Sequence, residues 1–236
     1  MAAEPTTDPS APHITATQNG PYQVDGIRRI VWREPVESKL GEPIAWRTRD
    51  VVVEGDQTYW LCRCGNSNNK PFCDGSHRTS GFVSADPADV APRSERTKTY
   101  QGEEVVVVDD RSLCMHASFC GTKTSNVWKM TKDTASTETR SLLVAMVQRC
   151  PSGALSVRTE TAGEDLEPAL ATEVALVPDG PLWVTGGVPV TKSDGNDLEV
   201  RNRVTLCRCG ASKTKPLCDG SHAEAGFQHR PQQLPR

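Results

Sequence analysis

Cysteine and histidine recur in one spacing at two places in the 236-residue sequence. Residues 62–77 read CRCGNSNNKPFCDGSH and residues 207–222 read CRCGASKTKPLCDGSH, identical at 12 of 16 positions and displaced by 145. Each block offers three thiols and one imidazole: Cys62, Cys64, Cys73 and His77 in the first, Cys207, Cys209, Cys218 and His222 in the second. Such a set completes a metal site. A tetrahedral zinc accepts it, but structural zinc ligands ordinarily leave two to four residues between paired cysteines, and Cys62-Arg63-Cys64 leaves one. A [2Fe–2S] rhomb has two irons that each need two ligands, so one cysteine pair can grip one iron while Cys73 and His77 grip the other. Imidazole in place of one thiolate makes the cluster less anionic and adds a bond that a proton can break.

The elements around these residues must bring them together. Strands are predicted over 58–61 and 200–206, feeding straight into the first cysteine pair of each block. Cys62 and Cys64, at i and i+2, then face one side of an extended segment. The Gly/Asn/Ser/Lys run up to Pro71 reads as a loop that folds back. Cys73 and His77, at i and i+4, share one face of a helical turn that Asp74 can cap, and Gly75 permits close backbone approach. Ser76 completes the supporting set, and the second block repeats it as Asp219, Gly220 and Ser221. The repeat extends outward: GPYQVDG from Gly20 matches GPLWVTG from Gly180, displaced by 160. The first copy therefore carries about 15 extra residues, assigned to the 32–46 stretch, whose Pro and Gly read as loop.

The pattern C-x-C-x2-S-x3-P-x-C-D-G-S-H, met twice, resembles that of the CDGSH iron–sulfur family, the mitoNEET-like proteins. The resemblance implies one [2Fe–2S] cluster on Cys62, Cys64, Cys73 and His77 and a second on Cys207, Cys209, Cys218 and His222, with each histidine on the outer iron. It also implies redox-active, acid-labile centres able to pass on electrons or whole clusters. The best-known members are membrane-anchored homodimers. Two copies in one chain lead us to expect an intramolecular pseudo-dimer, and hence a monomer, with the strands of the copies packed together.

Three further cysteines lie between the blocks. Cys114-Met-His-Ala-Ser-Phe-Cys120 is followed by Cys150-Pro151 at the end of SLLVAMVQ, whose Leu142/Met146 and Leu143/Val147 pairs predict a helix. Bacterial ferredoxins use C-x2-C-x2-C with a distant Cys-Pro; here Ala117 stands at the central position. Strands are expected at 104–108, 127–130 and 154–157. Over about sixty residues this segment resembles the divergent mono-cluster [4Fe–4S] ferredoxin-like family. Cys114, Cys120 and Cys150 could hold a [3Fe–4S] cluster, or a [4Fe–4S] cluster with His116, a water or nothing on the fourth iron. The alternative weighed against this is three reduced cysteines in a small core.

Composition bounds the rest. Hydrophobic residues make up 36% and aromatics 5%, with 18 Gly and 17 Pro, so several small units that need metal as well as burial are expected. The fold class read from this is α+β: two small β-rich modules at 16–86 and 174–230, separated by a ferredoxin-like domain at 97–160. Residues 1–15 and 229–236 read as disordered tails, with His13 and His229 solvated, and 86–96 as a linker. A net charge of −3 lacks the basic field that nucleic-acid binding needs. No apolar stretch is long enough to span a bilayer, the N-terminal residues lack secretory features, and clustered, odd-numbered cysteines suit a reducing compartment. The expectation is a cytoplasmic carrier, not an enzyme, whose partner is a redox protein or an apo-acceptor of clusters. No P-loop, nucleophile elbow or dinucleotide fingerprint competes. A zinc-stabilised interaction module is the alternative from another class.

Overall fold

The computed structural model describes residues 11–159, 163 and 165–231. The first copy contributes β1 (His13–Ala16), β2 (Tyr22–Asp25), β3 (Arg29–Glu37), β4 (Pro43–Glu54) and β5 (Tyr59–Leu61). The middle contributes α1 (Arg93–Arg96), β6 (Lys98–Gln101), β7 (Val105–Asp109), α2 (Val127–Met130), α3 (Thr137–Gln148) and β8 (Leu155–Thr159). The second copy adds β9 (Glu173–Leu176), β10 (Leu182–Thr185), β11 (Val190–Thr191) and β12 (Arg203–Leu206). The fold is α+β.

The two copies exchange strands. One sheet has the order β11-β1-β2-β5 and another β12-β10-β9-β3-β4. β1 runs parallel to β11 with Ile14 opposite Val190, and β3 runs parallel to β9 with Ile30 opposite Val174. Each pairing is the image of the other under the displacement of 160 that relates Gly20 to Gly180. β1 and β2 bury alternate residues, Ile14, Ala16, Tyr22 and Val24, as period-2 side chains on one face of a sheet must. These residues pack with Val174, Leu182, Val190 and Leu206 in a single hydrophobic core. Neither copy has a core of its own, which is how short strands with few aromatics become stable.

The middle domain is a three-stranded antiparallel sheet, β6-β7-β8, carrying α3. Its core unites Val105, Val107, Val127, Leu143, Val147 and Val157. Ser136 caps α3, accepting from the Thr139 backbone N–H, and α3 packs on β8 and α2.

Several expectations are corrected. The segment 127–130 is helical because Asn126 caps it, its Oδ1 accepting from the Lys129 N–H at 2.9 Å; the cap outweighs the β-propensity of Val127 and Trp128. The surplus of the first copy is a strand hairpin, since β3 and β4 pair from Arg29↔Glu54 out to Glu37↔Pro43, with bulges along the way. That hairpin holds the middle domain: Trp46 Nε1 donates to the Arg149 carbonyl at 2.8 Å and its ring stacks on Phe119 at 4.7 Å. β1 begins at His13, inside the segment read as a tail, where His13 Nε2 lies 2.9 Å from Thr191 Oγ1. The 86–96 segment is anchored by buried Asp86 and Ala88 and ends in α1. His229 is half-buried against Trp32, with ring centroids 4.9 Å apart. The remaining tail residues, 1–10 and 232–236, lie outside the described residues. No helix among the described residues is long and apolar enough to cross a membrane.

Candidate metal centres

β5 delivers Cys62 and Cys64, and backbone pairing brings Cys73 beside them. Cys62 N–H donates to the Pro71 carbonyl and Cys73 N–H to the Trp60 carbonyl, each at 2.8 Å, while Ser67 Oγ ties the intervening loop to the Phe72 carbonyl at 2.6 Å. The second copy repeats this: Cys207 donates to Pro216, Cys218 to Thr205, and Ser212 Oγ to the Leu217 carbonyl. Asp74 organises the closing turn by accepting from the Ser76 and Asn68 N–H groups and the Ser76 hydroxyl. Those bonds, the Ser76 hydroxyl's first, hold its carboxyl well below the usual range. Burial opposes the same effect at Asp219, but hydrogen bonds from Ser221 and Lys213 prevail.

The donors stand in pairs. Cys62 Sγ and Cys64 Sγ are 3.8 Å apart, and Cys73 Sγ is 3.3 Å from His77 Nδ1. The corresponding separations in the second copy are 3.6 Å and 3.4 Å. Among the described residues no three His, Cys, Asp or Glu side chains converge as one mononuclear ion requires. Backbone N–H groups point at the sulfurs: Asn66 to Cys64, Gly75 to Cys73 and Ala211 to Cys209, each at 3.4 Å. N–H groups directed at sulfur favour thiolate ligands. Burial pushes the Cys218 thiol up to about 12 and raises Cys62. Cys207 goes the other way, brought down to about 6 first by its hydrogen bond with Cys209, so a bare thiolate is disfavoured at Cys62 and Cys218 but favoured at Cys207. Burial first, then the Arg208 charge, lowers His222, keeping its imidazole in the neutral, ligating form.

The two sites meet. Cys64 and Cys209 form an antiparallel bridge, and Tyr22 of the first copy donates its hydroxyl to the Cys207 and Pro216 carbonyls at 2.8 and 3.0 Å. The arginines inside the C-R-C tripeptides, Arg63 and Arg208, are buried. Arg63 pairs with Asp86 and lies over Tyr22 and Phe82. Arg208 donates to the Gly180 and Val177 carbonyls and to His229 Nδ1, and lies over Trp32 and Phe227. Lys70 and Lys215 tie their loops through the Ser67 and Ser212 carbonyls. Sequence reasoning missed Tyr22, Asp86 and His229; no local motif marks them, because each acts through a distant partner.

In the middle domain Cys114, Cys120 and Cys150 line a cavity of about 120 Å³. Burial, then the charges of Cys150 and Cys114, raises the Cys120 thiol. Arg111 reaches toward Cys114 Sγ at 3.8 Å. His116, in the left-handed region at φ 62°, lies with its ring against Gly220 of the second copy.

Paired N/S donors under backbone N–H groups recur in both copies as one ligand-bearing module used twice. The sequence model of the iron-binding zinc finger CDGSH type family matches residues 19–78 and 179–223, and that of the divergent 4Fe-4S mono-cluster family matches 100–160. The chain thus carries two CDGSH-type modules flanking a segment that matches the divergent 4Fe-4S mono-cluster family. No curated protein and no solved structure matches it.

Proposed function

We propose that this chain is a one-electron carrier holding three iron–sulfur centres: a [2Fe–2S] cluster on Cys62, Cys64, Cys73 and His77, a second on Cys207, Cys209, Cys218 and His222, and a third, [3Fe–4S] or [4Fe–4S], on Cys114, Cys120 and Cys150. The observation that carries this reading is the arrangement of the Cys3His donors as two close pairs in each module, which suits two irons better than one tetrahedral zinc. When bound, such clusters supply one-electron redox chemistry. The chain's own residues orient the ligands through Asp74 and Asp219, direct N–H groups at the sulfurs, and place buried Arg63 and Arg208 where positive charge favours added electrons. The reciprocal strand exchange supports a monomer, and the absence of any recognised nucleophile or cofactor motif in the sequence supports a carrier rather than an enzyme.

A second reading, donation of whole clusters to an apo-acceptor, is favoured by the open turn at Gly75, where no atom stands within 4 Å of an added Cβ. Iron and acid-labile sulfide analysis of anaerobically purified protein, with EPR before and after dithionite, tests the proposal. About seven or eight irons per chain with matching sulfide and reversible reduction are expected. About four irons would leave the middle cysteines structural, transfer to an apo-ferredoxin without reversible reduction would favour donation, and zinc without sulfide would overturn both readings.

A further inference from the structure

The two CDGSH turns have the same backbone but different surroundings. Gly75 and Gly220 share φ near +90°, yet an added Cβ at Gly75 meets nothing within 4 Å, whereas one at Gly220 would come within 2.9 Å of His116 Cδ2 and 3.3 Å of the Met115 carbonyl. The middle domain therefore docks its cysteine loop on the second copy's turn and leaves the first copy's turn uncovered. The loop is shaped for this: left-handed conformations at His116 and Ser118 turn the imidazole out between Cys114 and Cys120 while Met115 and Phe119 stay buried. The docking is held elsewhere as well, by Trp46 on Phe119 and by Arg203, which donates to the Leu155 carbonyl at 3.1 Å. Beyond Gly220 lies His222, and beyond the second site the Cys64↔Cys209 bridge leads to the first. The second copy's site thus touches both the middle domain and the first copy's site.

We propose that His116 is the positioning residue through which the middle centre and the second copy's centre exchange electrons, making an ordered relay in which the second copy is interior and the first copy terminal. This rests on the three-centre reading above. With clusters held by these residues, one electron given up by the middle centre would be taken up by the second copy's centre, the first oxidised by one and the second reduced by one. No bond forms or breaks, and a low-potential one-electron reductant replenishes the middle centre. The imidazole, itself exposed, touches the Gly220 turn and so links the loop that carries Cys114 and Cys120 to the turn that carries Cys218 and His222.

The test uses the full, cluster-loaded chain. Sub-stoichiometric dithionite is mixed in and the redistribution of electrons among the centres is followed by freeze-quench EPR, with iron and sulfide content measured in parallel. His116→Ala is expected to keep its iron and sulfide, slow the redistribution about tenfold, equivalent to ~1.4 kcal/mol at the barrier, and weaken the magnetic interaction between the middle and second-copy signals. His116→Phe, which keeps a ring against Gly220, should recover most of the rate. Unchanged redistribution in His116→Ala overturns the proposal while leaving the three-centre reading intact. Loss of iron in that variant also overturns it, by making His116 a ligand. Lack of a third centre in the unsubstituted chain overturns both.

Discussion

Cys64 and Cys209, the second cysteines of the two repeats, face each other across the pseudo-twofold axis as an antiparallel bridge. The residue after each is glycine, and the contact requires it. A Cβ on Gly65 would stand 2.5 Å from the Cys209 carbonyl oxygen, and one on Gly210 2.6 Å from that of Cys64, with φ near +80° at both. Gly65→Ala or Gly210→Ala should destabilise the chain by about 2–4 kcal/mol, through a backbone clash added to left-handed strain. Gly81→Ala, also at positive φ but with nothing within 4 Å, should cost only the strain, about 1–2 kcal/mol. Urea denaturation of the three variants gives the comparison, and equal losses would remove the interface as the cause.

Arg63 and Asp86 form a pair with side chains 0% and 1% exposed. Asp86 also accepts from the Ser193 N–H at 2.9 Å, so it joins the first copy's metal loop to the second copy. Asp86→Asn leaves a guanidinium charge buried without a counterion and should cost about 3–5 kcal/mol. Arg63→Met/Asp86→Leu removes both charges and should recover much of that loss in thermal unfolding. A double variant no better than Asp86→Asn would mean that the hydrogen bonds, rather than the charge, carry the effect.

How much of this was readable beforehand follows from the range of each interaction. The ligand sets repeat a dense local spacing, so the residues could be named from the sequence, and the repeat made a pseudo-dimer the natural expectation. The 127–130 helix was read as strand because three apolar residues outweighed the single capping Asn126. The hairpin around Trp46 looked like loop because its Pro and Gly lie in a bulged, exposed ribbon whose purpose, contact with Phe119 and Arg149, is not local. Asp86 and His229 sit in stretches with the composition of linkers and tails. Distant partners, Arg63 and Ser193 for Asp86 and Arg208 and Trp32 for His229, give them a place, and no window of the sequence holds both sides.

His229 gives the stability a pH dependence of known sign. Burial and the Arg208 charge bring it down to about 4, with Nδ1 accepting from the Arg208 guanidinium. The unfolded chain therefore takes up this proton near pH 6.5 while the folded one resists. Stability is full above about 6.5, falls as the pH drops toward about 4, and levels off below. The shift corresponds to roughly 3 kcal/mol, which screening at a half-buried side chain reduces to ~1 kcal/mol. His229→Gln should flatten that part of the profile when urea midpoints of the metal-free chain are compared between pH 7.5 and 4.5. An identical profile in the variant would show that other groups set the slope.

The histidines of the metal sites give the cluster-loaded protein a separate acid response. His77 Nδ1 and His222 Nδ1 face the sulfurs of Cys73 and Cys218, so the nitrogen that would hold iron is the one a proton competes for. Burial and Arg208 hold His222 below the ordinary imidazole value, and release from the second copy is accordingly expected below pH 6.5. His222→Cys should abolish that step, leave the first copy's release unaltered, and lower the second centre's potential, since thiolate adds negative charge to the cluster. His77→Cys should do the same for the first copy. Visible absorbance followed through a slow acid titration, with EPR-monitored potentials of the same samples, measures both effects. Undiminished acid release in the His77→Cys/His222→Cys double variant would remove the histidines from the ligand sets, because no protonatable imidazole would remain there to account for it.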